Sequence, residues 1–386
     1  MDTAKNIENA GLYLHIPFCI KKCSYCDFYS ITDLSLKEAF LKALISEMHM
    51  VSGGSLLFDT LYIGGGTPSV FDEVCIGRII ETAYSLFNIL PDSEVTIETN
   101  PGTVSRKRLA GYRGAGVNRV NVGVQSLQDV NLDFLGRIHS GKEGELAIRW
   151  ARQSGFDNIG LDLIYGIPGQ TIKSWLLDLK RAVELEPEHI SCYMLTYESG
   201  TPMDRDRKKG IFWPAPDSHV CDMFETTIDL LNSSGYAQYE ISNFARSGSD
   251  GLKSFKSRHN QKYWSFVPYI GLGPSAHSFV ESERCWNCRS VNKYIKELNA
   301  GRLPLTGKEL LNKEQRIMEA IYVGLRRTDG IDVDIFNEKF DVSFKKIFAE
   351  TIARLEEDGL IKLTENRCSL TRKGMLFADS ITSMLI

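Results

Sequence analysis

The chain has 386 residues, 43% apolar and 24% charged, which suits two or three packed domains and excludes a disordered or fibrous chain. Forty-nine Asp and Glu against 45 Lys and Arg leave a net charge of −4, so no overall basic field steers the protein to nucleic acid or anionic lipid. Nine cysteines are too few for a disulfide scaffold and too odd a number to pair completely, and no apolar run approaches the ~20 residues of a membrane span. The opening MDTAKNIENAGLYLHIPFC carries no signal-like apolar stretch. The expected location is therefore the cytosol, where clustered cysteines point to metal or redox chemistry.

From residue 12 to about 200, β-rich runs alternate with amphipathic stretches. The strands are LYLHI (12–16), TLYIGG (60–65), EVTIET (94–99), RVNVGVQ (119–125), NIGLDLIYG (158–166) and HISCYMLT (189–196). Helices are expected over 35–51, 72–88, 105–115, 143–154 and 172–186. Several strands are apolar nearly throughout, as in a parallel sheet covered on both faces. Six such units fall short of the ~250 residues of a closed eight-stranded barrel. The α/β pattern over residues 1–200 predicts an incomplete (β/α)6 barrel, open on one side.

Residues 201–304 are less regular and read as an extension of the barrel. They contain a helix at 217–234, a strand-like YAQYEISNFA at 236–245, a Gly/Ser/Lys loop at 246–258, and RHNQKYW. Pro304 and the polar TGKE stretch read as a linker. Residues 305–386 then give helices at 313–326, 333–340 and 344–358, strands at 360–363 and 367–370, and a helix at 371–385. That is the outline of a winged-helix-like α+β module. Its 13 Lys and Arg face 14 Asp and Glu, so a structural or lid role is expected rather than nucleic-acid binding.

Cys19-Ile-Lys-Lys-Cys23-Ser-Tyr-Cys26 carries the chemistry. Three thiolates within eight residues can wrap one face of an iron–sulfur cube. A structural zinc site would require a fourth ligand, and none follows at finger spacing; His15 precedes the run but lies in the first strand. Three ligands on four irons leave one iron open for reaction. The run follows the first strand, at the rim where barrel active sites lie.

C-x3-C-x2-C at this position resembles the radical S-adenosylmethionine (SAM) superfamily, whose fold is a six-unit incomplete barrel. The resemblance implies a 4Fe–4S cluster on Cys19, Cys23 and Cys26, with SAM chelated at the open iron and cleaved to a deoxyadenosyl radical. It further implies SAM contacts from Gly65, Gly66 and Thr67 of GGGTP, which otherwise form a tight strand-to-helix turn. Glu98, Gln125 and Asp162 lie at or near successive strand ends and converge on the same rim, where a carboxylate can accept ribose hydroxyls. Arg137 in FLGRIH is placed to reach the SAM carboxylate, and Tyr13 and Tyr25 to line the adenosine side.

YLHIPFC, IGGGTP, NVGVQS, DLIYGIPGQT, QYEISNFAR, RHN-x-x-YW and GLG-x-SAHS together resemble the oxygen-independent coproporphyrinogen III oxidase group, over residues 12 to about 295. Within it, the coproporphyrinogen III dehydrogenase has a further cysteine two residues after the third ligand and a longer leading segment. Here that position is Phe28, and only 18 residues precede Cys19. The chain instead is similar to the HemW haem chaperones, with C-x3-C-x2-C-x-F and an HNxxYW motif. This implies haem as a ligand, a haem-acceptor protein and a reductant protein as partners, with the dehydrogenase activity as the alternative. A neutral His259 imidazole would serve as an axial haem ligand. Tyr263 and Trp264 offer flat faces, and Arg246, Lys253, Lys256 and Arg258, against Asp250, are placed to pair with propionates. The plainer alternative is a core aromatic pair with a hydrogen-bonded histidine. Cys285-x-x-Cys288 has no partner pair and reads as incidental, and Cys75, Cys192, Cys221 and Cys368 as small apolar residues.

Overall fold

A computed structural model describes residues 9–248 and 253–385; Asp250 and the first eight residues lie outside them. Six parallel strands follow one another in the sheet: β1 (Ala10–Ile16), β2 (Leu57–Gly65), β3 (Asn88–Thr99), β4 (Arg119–Gln125), β5 (Ile159–Tyr165) and β6 (His189–Met194). The connections carry α1 (Lys37–Val51), α2 (Glu73–Leu86), α3 (Arg106–Gly114), α4 (Asp129–Leu135), α5 (Gly141–Gln153) and α6 (Ile172–Glu184). All six strands and five helices were legible in the hydrophobic pattern; the two-turn α4 was not. Start signals are local: capping boxes pair Ser140 with Glu143 and Thr171 with Ser174, and Asp72 caps α2.

The strands are not apolar on both faces. Leu12, Leu14 and Ile16 of β1, Leu61 and Ile63 of β2, and Val120, Val122 and Val124 of β4 face the helices and form the main core. The alternate positions turn to the barrel interior and are polar: Tyr13 and His15, Thr60 and Tyr62, Glu94 and Glu98, Arg119 and Asn121, Asp162, His189 and Ser191. Parallel register sets them in oblique rows, Gly11–Thr60–Glu94 low in the barrel and Ile16–Gly65 at the top.

Beyond β6 come α7 (Pro202–Lys208), α8 (Asp217–Ser233), β7 (Ala237–Gln238), β8 (Asn243–Ala245), α9 (Arg258–Trp264), β9 (Tyr269–Leu272), β10 (His277–Val280), β11 (Glu283–Asn287), α10 (Val291–Asn299) and β12 (Leu305–Leu310). The strand order β12-β11-β10-β9-β1-β2-β3-β4-β5-β6-β8-β7 makes one 12-stranded sheet that never closes, because β6 pairs with β8 and β1 with β9. The TGKE stretch read as a linker is instead the edge strand β12, paired antiparallel with β11; polar residues suit an exposed edge. The run 236–245 breaks into two short strands around a turn at Glu240–Ser242.

The C-terminal module has α11 (Lys313–Gly324), β13 (Ile331–Asp332), α12 (Val333–Phe340), α13 (Phe344–Ile347), α14 (Ala349–Glu357), β14 (Ile361–Leu363), β15 (Arg367–Leu370), α15 (Arg372–Met375) and α16 (Ala378–Met384), with sheet order β13-β15-β14. Its core includes Phe266 and Phe279 of the sheet domain, so the two share one apolar cluster.

Candidate radical SAM site

The three cysteines lie on one loop that leaves the C-terminal end of β1. Its ends are held together by a parallel bridge between Phe18 and Ile31. Cys19 N donates to Ile31 O at 2.9 Å and Ile31 N to Pro17 O at 2.8 Å. Midway, the start of α7 holds the loop through Met203 N to Ser24 O, 3.0 Å. Cys19 is buried, Cys23 and Cys26 half-buried, and none is disulfide-bonded.

Two of the three cysteine sulfurs accept a hydrogen bond from a residue singled out in the sequence. Thr67 Oγ1 donates to Cys19 Sγ at 3.4 Å. Arg137 Nη1 donates to Cys23 Sγ at 3.5 Å, while Nη2 donates to Gly123 O at 2.6 Å. Arg137 reaches the loop because Gly136, at φ +73°, ends α4 in the left-handed conformation and turns the chain back.

The GGGTP turn packs against the foot of the same loop. Gly65 has φ +110°, and a Cβ there would lie 2.7 Å from the His15 ring, so only glycine fits. Its amide donates to Glu98 Oε2 at 3.1 Å, Gly66 N to Ile16 O at 2.8 Å and Thr67 N to Phe18 O at 2.7 Å. These amides are spent within the protein. A ligand amino group donates and needs acceptors, and Glu98 stands here with Oε1 held by Tyr62 OH at 2.7 Å. Burial pushes the Glu98 carboxyl up to about 7, partly offset by the Tyr62 hydrogen bond.

Gln125 ends β4 at φ +70°, a strained angle for a residue with a Cβ, next to a register shift against β5. Its amide lies over Gly123, close to the Arg137 guanidinium. Asp162 sits deeper, its Oδ2 accepting from Asn121 Nδ2 at 2.6 Å, and burial raises its pKa. Tyr25 packs against the buried cluster of Leu135, Ile164, Ile167, Leu195 and Met203, with Arg137 within hydrogen-bonding reach. The structure thus gathers Cys19, Cys23, Cys26, Tyr25, Gly65, Gly66, Thr67, Glu98, Gln125 and Arg137 at one barrel end, with Asp162 below them. Sequence reading missed Tyr62, which holds Glu98; its place two residues before the glycines was the available signal.

Tyr13 is lower, inside the barrel, with its hydroxyl 3.0 Å from His15 Nδ1. His15 Nε2 lies 2.8 Å from Tyr29 O; a carbonyl only accepts, so Nε2 carries the proton and Nδ1 accepts from Tyr13. Both nitrogens are occupied and burial lowers the ring's pKa to about 4, so His15 is not a fourth metal ligand. Among the described residues no three His, Cys, Asp or Glu side chains converge tightly enough for a single ion. An all-thiol set of three, spread along a loop with its sulfurs hydrogen-bonded, suits a larger iron–sulfur cube.

The axial-ligand expectation for His259 is corrected. His259 is 1% exposed on α9, which plugs the opposite end of the barrel. Its Nδ1 lies 2.8 Å from Thr60 Oγ1 and its Nε2 3.0 Å from Tyr263 OH. The ring stacks on Tyr62 at 4.9 Å, and burial lowers its pKa to about 3. Neither nitrogen can take iron without breaking one of these bonds. Tyr263 packs edge-on against His259 and Tyr269, and Arg326 covers Trp264. Of the basic residues, Arg258 pairs with Asp59, Lys253 with Asp157, and Arg246 lies over Tyr236. The hydrogen-bonded core histidine is what folds here. Ile16 lies five residue steps along β1 from Gly11, against which His259 packs, roughly 16 Å at ~3.3 Å per residue.

Residues 13–182 match the radical SAM superfamily and residues 311–377 the HemN C-terminal domain. The chain is 34% identical over 374 residues to heme chaperone HemW of Bacillus subtilis (strain 168), covering 96% of this chain and 97% of that protein. The chain belongs to the HemW family of radical SAM proteins. A second HemW, from Lactococcus lactis, is 33% identical and covers 96% of this chain and 95% of its own length. Coproporphyrinogen III oxidase (HemN) from Escherichia coli, a radical SAM enzyme, superposes with a TM-score of 0.84 at 26% identity, covering 98% of this chain and 90% of that one. HemW membership accounts for the end-to-end match of sheet domain and C-terminal module. No described helix is long and apolar enough to cross a membrane.

Proposed function

We propose that this chain is a haem chaperone that holds a 4Fe–4S cluster through Cys19, Cys23 and Cys26, binds SAM beside it, takes up haem and delivers it to an acceptor protein. The observation that supports this most is the three-cysteine loop, with Thr67 and Arg137 turned onto two of its sulfurs, in a chain related to HemW over nearly its whole length. Held by these three thiolates, a cluster would supply single-electron chemistry next to the bound SAM. The chain's own residues bind and orient. Glu98 accepts hydrogen bonds from the amino or hydroxyl groups of SAM. Arg137 neutralises its carboxylate, Gln125 offers an amide beside it, Tyr25 walls the adenosine side, and Gly65 and Gly66 permit close approach. Asp162 and Tyr13 line the space beneath. α9 supports the barrel floor.

Haem titration of the purified protein, with and without its cluster, tests this reading: one saturable site per chain is expected, and no binding in either form overturns it. The alternative, coproporphyrinogen III dehydrogenase, is favoured by the likeness to HemN and opposed by Phe28, which stands 68% exposed where a further cysteine would be required. Anaerobic incubation with SAM, reductant and coproporphyrinogen separates them, since protoporphyrinogen formation would establish the enzyme. Replacing Cys19, Cys23 and Cys26 with Ala is expected to leave soluble protein without iron or broad visible absorption.

A further inference from the structure

The outer wall of the cysteine loop carries a surface that neither ligand binding nor the fold accounts for. Ile20, immediately after Cys19, is 50% exposed, and Leu34, just past the far end of the loop, is 36% exposed. Both open onto a depression of about 360 Å³ whose walls include Val70, Val104, Ser105 and Arg108. Arg108 is fixed there, its Nη1 donating to Thr103 O at 2.7 Å and Ser69 O at 3.0 Å. Arg106 and Lys107, on the first turn of α3 between Ser105 and Arg108, are exposed. Three nearby carboxylates have partners. Asp33 and Asp72 cap helices through Ser35 N and Cys75 N, and Asp27 faces Arg289. Arg106, Lys107 and Arg108 therefore give a basic rim to a hollow partly walled by Ile20, Leu34, Val70 and Val104, on a chain whose net charge is −4.

We propose that this hollow is the docking surface for an acidic one-electron carrier protein, the reductant that the proposed function requires; the proposal rests on that reading. The charge pattern selects a partner with an acidic face around an apolar contact, the arrangement that speeds encounter and fixes orientation. A concave hollow suits a protruding side chain of a protein better than a flat lipid surface. Position selects a redox role: the Ile20 wall is one peptide unit from Cys19, consecutive Cα atoms being about 3.8 Å apart. A carrier seated here approaches the sulfur-ligand shell from outside while SAM occupies the barrel mouth. In the transfer one electron leaves the carrier and one enters the cluster, with no bond made or broken.

The test uses a purified acidic flavodoxin as probe and the full chain as partner. The variants are an Arg106→Glu, Lys107→Glu double substitution, whose acidic residues at a helix N-terminus favour the helix dipole, and, separately, Leu34→Ser. Binding is read from the anisotropy of labelled flavodoxin at several salt concentrations. Cluster reduction is followed by stopped flow, with dithionite as the small-molecule control. Charge reversal is expected to weaken binding at least tenfold, flatten its salt dependence, and slow reduction by flavodoxin while leaving reduction by dithionite unchanged. Leu34→Ser is expected to weaken binding with its salt dependence intact. Equal affinity and rates in parent and variants overturn the proposal. So does a charge effect confined to an acidic haem-accepting apoprotein, which would make this a delivery face. A parent that forms no cluster strikes the proposed function, while the binding measurement on the same protein still reads the surface.

Discussion

Glu98 stands under two opposed influences. Burial favours the neutral acid, while the Tyr62 hydroxyl and the Gly65 amide hold the anion, and the carboxyl settles at about 7. A folded-state pKa above the ordinary carboxyl range means the folded chain binds a proton there more readily than the unfolded chain. Its contribution to stability is therefore complete at acid pH and lost as pH rises through about 7. Ligand binding runs the other way, because the ionised carboxylate is the stronger acceptor for N–H or O–H donors of SAM. SAM affinity of the cluster-loaded protein is expected to rise between about pH 6 and 8, measured by calorimetry, and Glu98→Gln to flatten that rise and weaken binding at pH 8. Thr67 offers a cleaner probe of the sulfurs. Hydrogen bonds to cluster sulfurs raise the reduction potential, so Thr67→Val, nearly isosteric, is expected to move the midpoint in a spectroscopic redox titration to more negative values. An unchanged midpoint would show that the 3.4 Å contact to Cys19 does not persist once iron is bound.

Short elements decide where the motifs act. The hydrophobic alternation made β1 to β6 legible because each strand turns one face to helices, and the place of the three cysteines on one loop after β1 was legible because their spacing is local. The same local logic misplaced HNxxYW. Whether a histidine is a free ligand or a pinned core residue depends on which side chains meet it, and Thr60 is 199 positions away in sequence. Similarly, the TGKEL run has the composition of a linker, and only its pairing with β11 makes it a strand. His259→Ala is expected to cost about 2–4 kcal/mol in denaturant unfolding, through a cavity and two hydroxyls left without a partner. His259→Asn, which keeps one polar contact, is expected to recover part of that. If a stably folded His259→Asn also loses its haem Soret band, α9 must leave the barrel floor when haem binds.

On the scale of the whole molecule, the sheet domain and the C-terminal module are joined by both backbone and core. Ile241 N donates to Arg326 O and Thr328 N to Tyr239 O, each at 3.1 Å, and Lys339 Nζ donates to Phe266 O at 2.9 Å. Phe266 and Phe279, 4.8 Å apart, lie in the module's own apolar cluster with Phe336 and Phe340. A chain ending at Leu310 would expose that face, and exposed apolar patches of this kind promote association. Truncation is expected to give oligomers by size-exclusion chromatography, where the full chain elutes as a discrete species. The prediction separates a load-supporting module from a detachable lid, which would leave a well-behaved barrel behind. The stitching of the cysteine loop has its own consequence. Its ties, Phe18 to Ile31, Ser24 to Met203 and Asp27 to Arg289, are all polypeptide, so the chain itself sets the loop's course. If a cluster is held there as proposed, a copy that lost it to air would keep these ties, and refilling is expected to restore it without synthesis of a new chain.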